Sequence, residues 1–250
     1  MILLIDSGNT YIKWALVNGD NWLEGGRLLL SQSEEFSQHL EKYCEVRSVN
    51  LHDIEEIWVS NVAGDAVAKH ISSISINTNV NKLRFIIPQA QQCDVRNGYL
   101  QPDQLGSDRW AALLGAWQLM KRECLVVNCG TATTIDVLSA NGEFMGGLIL
   151  PGVELMLSSL SASTAQLTSS QGNYDLFPKN TADAMFSGMI QASCGAIQRQ
   201  YALLGHDDAP LVLSGGAAGI LQKHIAYSVH AVEDLVLQGL LLIAKEAGES

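Results

Sequence analysis

The chain has 250 residues, 47% of them hydrophobic, and a formal net charge of -11. That length suits one large domain or two of ordinary size, with ample apolar material for a core. The acidic balance opposes nucleic acid or an anionic membrane as a main partner, because phosphate backbones recruit basic surfaces.

In chain order, Ile2–Ile5 reads as a strand running into Asp6-Ser7-Gly8-Asn9-Thr10, followed by a second apolar strand over Tyr11–Val17. Asn18-Gly19 marks the next turn, and a third strand is expected near Arg27–Leu30. Ser33–Tyr43 reads as a helix with a Ser N-cap. Glu56–Asn61 is a buried type of strand, Asp65–Ser73 a helix and Leu83–Ile87 a strand. The polar stretch from Pro88 to Ser107 looks irregular, and a connection of that length in a compact protein is usually functional. From Asp108 to Arg122, Trp110, Leu113, Leu114, Trp117 and Met120 recur at helical spacing.

The second half repeats the opening. Leu125–Val127 runs into Asn128-Cys129-Gly130-Thr131-Ala132-Thr133-Thr134, then Ile135–Leu138, with Asn141-Gly142 as a hairpin signal. Gly146–Pro151 reads as a third strand, and helices are expected near 152–160 and 180–204. Leu211–Leu213 meets the glycine turn Ser214-Gly215-Gly216, suited to lie against a flat nucleoside. An apolar helix closes the chain over Leu235–Lys245. Both halves thus show strands, then helices, after the same opening hairpin, which indicates an internal duplication. The expected domains are 1–115 and 116–250.

A glycine turn rich in hydroxyl and amide groups aims backbone N–H donors into one small space, as a phosphate site requires. One such turn could be a plain hairpin; two at equivalent places suggest a nucleotide site. Neither copy matches the G-x-x-x-x-G-K-[ST] loop or the G-x-G-x-x-G turn. At the start of the helix after the polar stretch, Asp108 and Arg109 adjoin. Asp108 could cap that helix with Arg109 a surface charge. Alternatively Asp108 takes a proton from a substrate hydroxyl while Arg109 holds a substrate anion.

The five Cys, at 44, 93, 124, 129 and 194, include no C-x-x-C pair. They read as thiols in a reducing cytoplasm. The six His show no metal-ligand spacing. No basic segment precedes the first strand, so no signal peptide is expected, and no apolar run is long enough to span a bilayer. The Trp residues read as core, Cys129 lacks a neighbouring base, and His224 and His230 read as structural or surface residues.

The ordered set of segments resembles the type III pantothenate kinases, of the acetate-kinase, sugar-kinase, Hsp70 and actin superfamily. The segments are Asp6–Thr10 with Lys13, Arg96-Asn97-Gly98-Tyr99, Gly106-Ser107-Asp108-Arg109, Gly130–Thr134, Gly146-Gly147 with Pro151-Gly152, and Asn180-Thr181 with Ala184 and Gly188. The resemblance implies two similar ribonuclease-H-like α/β domains with the active site in the cleft between them. It implies ATP-dependent phosphorylation of pantothenate, the first step of coenzyme A synthesis. It places Asp6, Ser7, Gly8, Asn9, Thr10, Lys13 and Thr131 on the ATP phosphates. Tyr99, Gly106, Ser107, Asp108, Arg109 and Thr181 fall to pantothenate, with Asp108 as base. Thr181 matches a position supplied across a homodimer interface. Magnesium would bridge the phosphates, with Asp6 as its nearest carboxylate, through water. The family's second turn usually begins with Asp and binds a monovalent cation, potassium or ammonium; here that position is Asn128, which puts the cation in doubt. A kinase of another small hydroxyl substrate, or a regulatory accessory protein, is the alternative reading.

Overall fold

In the computed structural model, residues 1–74, 79–163, 172–206 and 208–249 are described. The chain divides into two compact units, Met1–Gly115 with Leu235–Ser250, and Ala116–Asp234.

The first unit opens with three antiparallel strands, β1 (Ile2–Ser7), β2 (Tyr11–Asn18) and β3 (Asn21–Leu29). Helix α1 (Phe36–Arg47) leads to β4 (Glu56–Asn61), which pairs parallel to β1. Helix α2 (Asp65–Ser73) and β5 (Lys82–Phe85), parallel to β4, complete a sheet of order β3-β2-β1-β4-β5. Alternation along these strands sends Leu3, Ile5, Ile12, Trp14, Ile57 and Val59 to one side, where they pack with Phe36, Leu40 and Ile71 of α1 and α2. Strand β3 starts well before the expected Arg27. Gly25 and Gly26 hide it from a propensity reading, yet both lie against Trp14, where the register shifts. Helix α1 starts later than Ser33, which sits in a 3₁₀ turn over Leu30–Glu35. The Ser33 hydroxyl caps nothing; it bonds Nδ1 of His70 on α2 at 3.1 Å.

The polar stretch is more ordered than its composition suggests. Strands β6 (Gln91–Gln92) and β7 (Val95–Asn97) form a hairpin. Its turn residues Cys93 and Asp94 have φ of 47° and 64°, the left-handed pair that a two-residue hairpin turn demands. Helix α3 (Ser107–Met120) follows.

The second unit repeats the plan. Strands β8 (Cys124–Cys129), β9 (Ala132–Leu138) and β10 (Glu143–Pro151) are antiparallel. Helices α4 (Val153–Ser163) and α5 (Thr181–Tyr201) precede β11 (Leu211–Ser214), which is parallel to β8. Helix α6 (Ala218–Gln222) and β12 (Val229–Ala231), parallel to β11, give the order β12-β11-β8-β9-β10. Strand β12 is three residues of mixed polarity, too short for a periodicity signal. Leu125, Val127, Ile135, Leu211 and Leu213 pack with Met189, Ile190 and Ile197 of α5.

The closing helix α7 (Leu235–Glu249) belongs to the first unit, not to the half of the chain that precedes it. It covers the β1 and β4 face opposite α1 and α2. Glycine makes this seat possible: a Cβ on Gly239 would fall inside the Ala111 carbonyl of α3. Gly115 faces the Leu235 carbonyl in the same way, with 2.9 Å to a Cβ placed there. Gly239→Ala is therefore expected to destabilise. The helix-propensity gain of about 1 kcal/mol is smaller than the roughly 1–3 kcal/mol cost of overpacking against backbone. Chemical denaturation of the variant checks this; an unchanged or higher midpoint would contradict the close approach.

Candidate active site

The register of the first sheet assembles a polar row. Asp6, next to last in β1, lies opposite Lys13 of β2 and beside Ser60 of β4. Lys13 in turn lies opposite Arg27 of β3. Register partners project to the same face, so Arg27, Lys13, Asp6 and Ser60 form one line across the sheet. Asp6 and Lys13 are half-buried. Ser7 alternates to the other face, is fully buried, and its hydroxyl has no hydrogen-bond partner among the described residues. Its side chain is therefore not brought together with Asp6 and Lys13. Beyond them, Gly8 N–H donates to the Tyr11 carbonyl at 3.0 Å and closes the turn that carries Asn9 and Thr10.

The row continues into helix α3. The hydroxyls of Ser60 and Ser107 bond at 3.0 Å in a buried setting. Ser107 is the first residue of α3, so Asp108 follows directly on the residue bonded to Ser60, the neighbour of Asp6. Asp108 is half-buried, and burial pushes its carboxyl above the ordinary range. The Arg109 N–H, donating to Asp108 Oδ1 at 2.8 Å, and the Arg109 charge act in the opposite sense. Asp108 thus accepts from its immediate neighbour and does not cap the helix from in front of it. A Cβ on Gly106 would come within 2.7 Å of Asp108 Oδ1, so glycine there leaves the carboxylate its place.

Arg109 is 5% exposed, and such a charge needs partners. Its Nη1 donates to the Tyr99 hydroxyl at 2.9 Å. Tyr99 is fixed from behind. Its N–H donates to Asn97 Oδ1 at 3.0 Å, and Asn97 Nδ2 donates to the Pro102 carbonyl at 3.2 Å. Two residues without a sequence signal hold this segment. Gln92 Oε1 accepts from Trp110 Nε1 at 3.0 Å, and Glu246 Oε1 accepts from the Cys93 N–H at 2.8 Å. Ser60 belongs to no motif either; its one cue in the sequence is a small polar residue inside a buried strand.

In the second unit, Asn128 takes the place of Asp6. It lies opposite Thr134 of β9 and beside Ser214 of β11. Gly130 N–H donates to the Ala132 carbonyl at 3.0 Å and leaves Thr131 exposed at the tip. Two glycines hold this turn from behind. Gly152 donates its N–H to the Thr131 carbonyl at 2.9 Å, and Gly215, at φ 97°, lies against the Cys129 backbone. The Ala217 N–H, at the start of α6, donates to the Cys129 carbonyl at 3.0 Å. Burial raises the Cys129 thiol to about 12, which leaves it inert.

Thr181 starts α5 and is exposed. Asn180 caps the helix, its Oδ1 accepting from the Asp183 N–H at 2.9 Å, while Asn180 Nδ2 donates to Asp183 Oδ2 at 2.6 Å. Thr181 stands at the rim of a cavity of about 1130 Å³, lined by Leu155, Met156, Leu160, Met185 and Met189 of α4 and α5.

A family model described as type III pantothenate kinase matches residues 2–203. The chain is 42% identical to a type III pantothenate kinase of Aromatoleum aromaticum over 247 residues, 98% of each chain. It is 43% identical to one of Nitrosospira multiformis, covering all of this chain and 93% of that one. A solved structure from Sinorhizobium meliloti, described as a 2-dehydro-3-deoxygalactonokinase, matches with a TM-score of 0.64 over 99% of both chains. At 16% identity that likeness concerns the fold, which is the two-domain fold of the actin-like ATPases and sugar kinases. By the span of the family model and by identity over its full length, the chain belongs to the type III pantothenate kinase family.

Proposed function

We propose that this protein transfers the γ-phosphoryl group of ATP to the terminal hydroxyl of pantothenate, giving 4′-phosphopantothenate for coenzyme A synthesis in the cytoplasm. The observation that carries the reading is the short path from turn to carboxylate: Asp6 beside Ser60, Ser60 bonded to Ser107, and Asp108 next in the chain. Phosphoryl transfer depends on alignment and on stabilised charge, and this path supplies the alignment. Gly8, Asn9, Thr10, Lys13 and Thr131 line the phosphates. Arg109 holds the carboxylate of pantothenate, steadied by Tyr99, and Asp108 takes the hydroxyl proton. No helix among the described residues is long and apolar enough to cross a membrane.

Magnesium fits the residues present. Among the described residues no cluster of three His, Cys, Asp or Glu could hold a metal. Magnesium needs no such cage, because it keeps water ligands and binds through substrate phosphates with one or two carboxylates. Asp6 would hold it, through water, and the ion would neutralise charge on the transferring group. A coupled assay of ADP release with and without pantothenate tests the function. Release that ignores pantothenate would sink it.

Asp108→Asn retains an oxygen to accept from the Arg109 N–H but cannot take a proton. Turnover is expected to fall about 10²–10⁴-fold with ATP binding intact. Because burial raises the Asp108 carboxyl, the acid limb of the native pH–rate profile should lie above the ordinary carboxylate value of 3.8. Near-native turnover in the variant would leave Asp108 without a catalytic role.

Thr181 and the apolar α4–α5 surface support a homodimer. Leu155 and Leu160 are 44% and 43% exposed at the cavity, and Phe177 nearby is 81% exposed. Such a patch suits a two-fold contact with a second copy, in which Thr181 completes the partner's pantothenate site. Mixing inactive Asp108 and Thr181 variants should restore activity through heterodimers. A fully active monomer by sedimentation at assay concentration would refute this.

Asn128 bears on the monovalent cation. An amide keeps an oxygen ligand but lacks the carboxylate's charge, so potassium or ammonium would be held weakly. Activity in sodium buffer is expected to fall only slightly relative to potassium buffer, and Asn128→Asp should enlarge the difference. A strict potassium requirement in the native protein would overturn this.

A further inference from the structure

The polar row of the first sheet holds one anion and two cations. Lys13 faces Asp6 on one side and Arg27 on the other, all three on one face. Like charges directly opposite across an antiparallel pair are destabilising. One carboxylate offsets one cation and leaves the other uncompensated. The fold itself does not demand the pair: in the second sheet the corresponding places are taken by Thr134 and Ile149. The pair is thus particular to the first sheet.

Arg27 is exposed on the edge strand, and among the described residues its guanidinium forms no ion pair. Its Cζ lies over the Tyr11 ring, 5.5 Å from the centroid. Tyr11 is the first residue after the turn Gly8-Asn9-Thr10 and is itself exposed. A cation over an exposed ring is weakly held, so the guanidinium is parked beside the turn and free to leave. Strand β3 also runs alongside that turn, since the Leu30 N–H donates to the Thr10 carbonyl at 2.8 Å. A polyphosphate seated on the Gly8–Thr10 turn and Lys13 would meet Arg27 as its next cation outward.

We propose that Arg27 is a second phosphate-binding cation of the nucleotide site, leaving the Tyr11 ring to bind the polyphosphate chain beside Lys13. The inference rests on the reading of residues 6–13 as the phosphate turn. A guanidinium suits the role because its planar fork can hold two phosphate oxygens at once.

The test compares the native protein with Arg27→Gln and Arg27→Lys. Equilibrium binding of ATP, ADP and AMP is measured alongside KM for ATP and for pantothenate. Arg27→Gln should weaken ATP binding and raise KM for ATP about tenfold, as for one lost charge-assisted contact. Affinity for AMP and KM for pantothenate should stay native, Tm should stay native or rise as the like-charge pair is relieved, and Arg27→Lys should recover part of the loss. Native ATP affinity in the Gln variant would overturn the proposal. So would an equal loss for AMP, or a fall in Tm with every substrate affected alike. If the native protein binds no ATP, the proposed function itself fails, which is a separate and recognisable result.

Discussion

The buried bond between the Ser60 and Ser107 hydroxyls is the constraint on which the site depends. It ties β4, beside Asp6, to the first residue of α3, next to which Asp108 stands. Everything behind α3 serves to hold that end still. Trp110 is fully buried and bonded to Gln92; Gly115 and Gly239 let α3 and α7 approach to backbone contact; Glu246 of α7 reaches the turn of the β6–β7 hairpin. That hairpin ends in Asn97, which holds the Tyr99 N–H, and the Tyr99 hydroxyl accepts from Arg109. A neutral hydrogen bond contributes only about 1 kcal/mol net, so the positioning comes from packing on several sides, with the Ser–Ser bond setting the register.

The two units share a topology but divide the labour of charge. In each, a strand–turn–strand opening places one residue at the centre of a three-strand row. In the first unit that row is Lys13–Asp6–Ser60; in the second it is Thr134–Asn128–Ser214. The second turn is also tighter, with a single residue, Thr131, between its bonded pair. A charged turn can fix phosphate and metal, whereas a neutral one offers only backbone and hydroxyl donors. The frame occurs twice, and of these two three-residue rows only the first carries ionic groups.

Much of this was legible in the sequence because turns announce themselves. The opening hairpin, Asp65–Ser73, Glu56–Asn61 and the duplicated glycine turn follow from local chemistry that no tertiary contact overrides. Strand β3 was truncated because Gly25 and Gly26 lower strand propensity, although their absence of side chain is what admits Trp14. The start of α1 was misplaced because Ser33 spends its hydroxyl on His70, a residue 37 positions away that no local rule can see. The allegiance of α7 was hidden for the same reason: an apolar helix states that it is buried, not what buries it. Among site residues, Asp6, Asp108 and Arg109 were visible as motifs. Ser60 acquires meaning only from register, and Gln92 only from its bond to Trp110.

Asp108 shows what such a site costs the fold. Its carboxyl is raised in the folded chain, chiefly by burial, so the folded state prefers the protonated form. Between the ordinary value of 3.8 and the raised folded value, the folded chain binds more protons than the unfolded one. Stability from this group is therefore greatest below that window and is lost as pH rises through it. Ionising the buried carboxylate works against folding, with the Arg109 N–H and guanidinium offsetting only part. A helix cap chosen for stability would do the opposite, sitting exposed with its carboxylate favoured. A raised carboxyl is the state a proton acceptor needs, and it is the opposite of what an exposed cap would show.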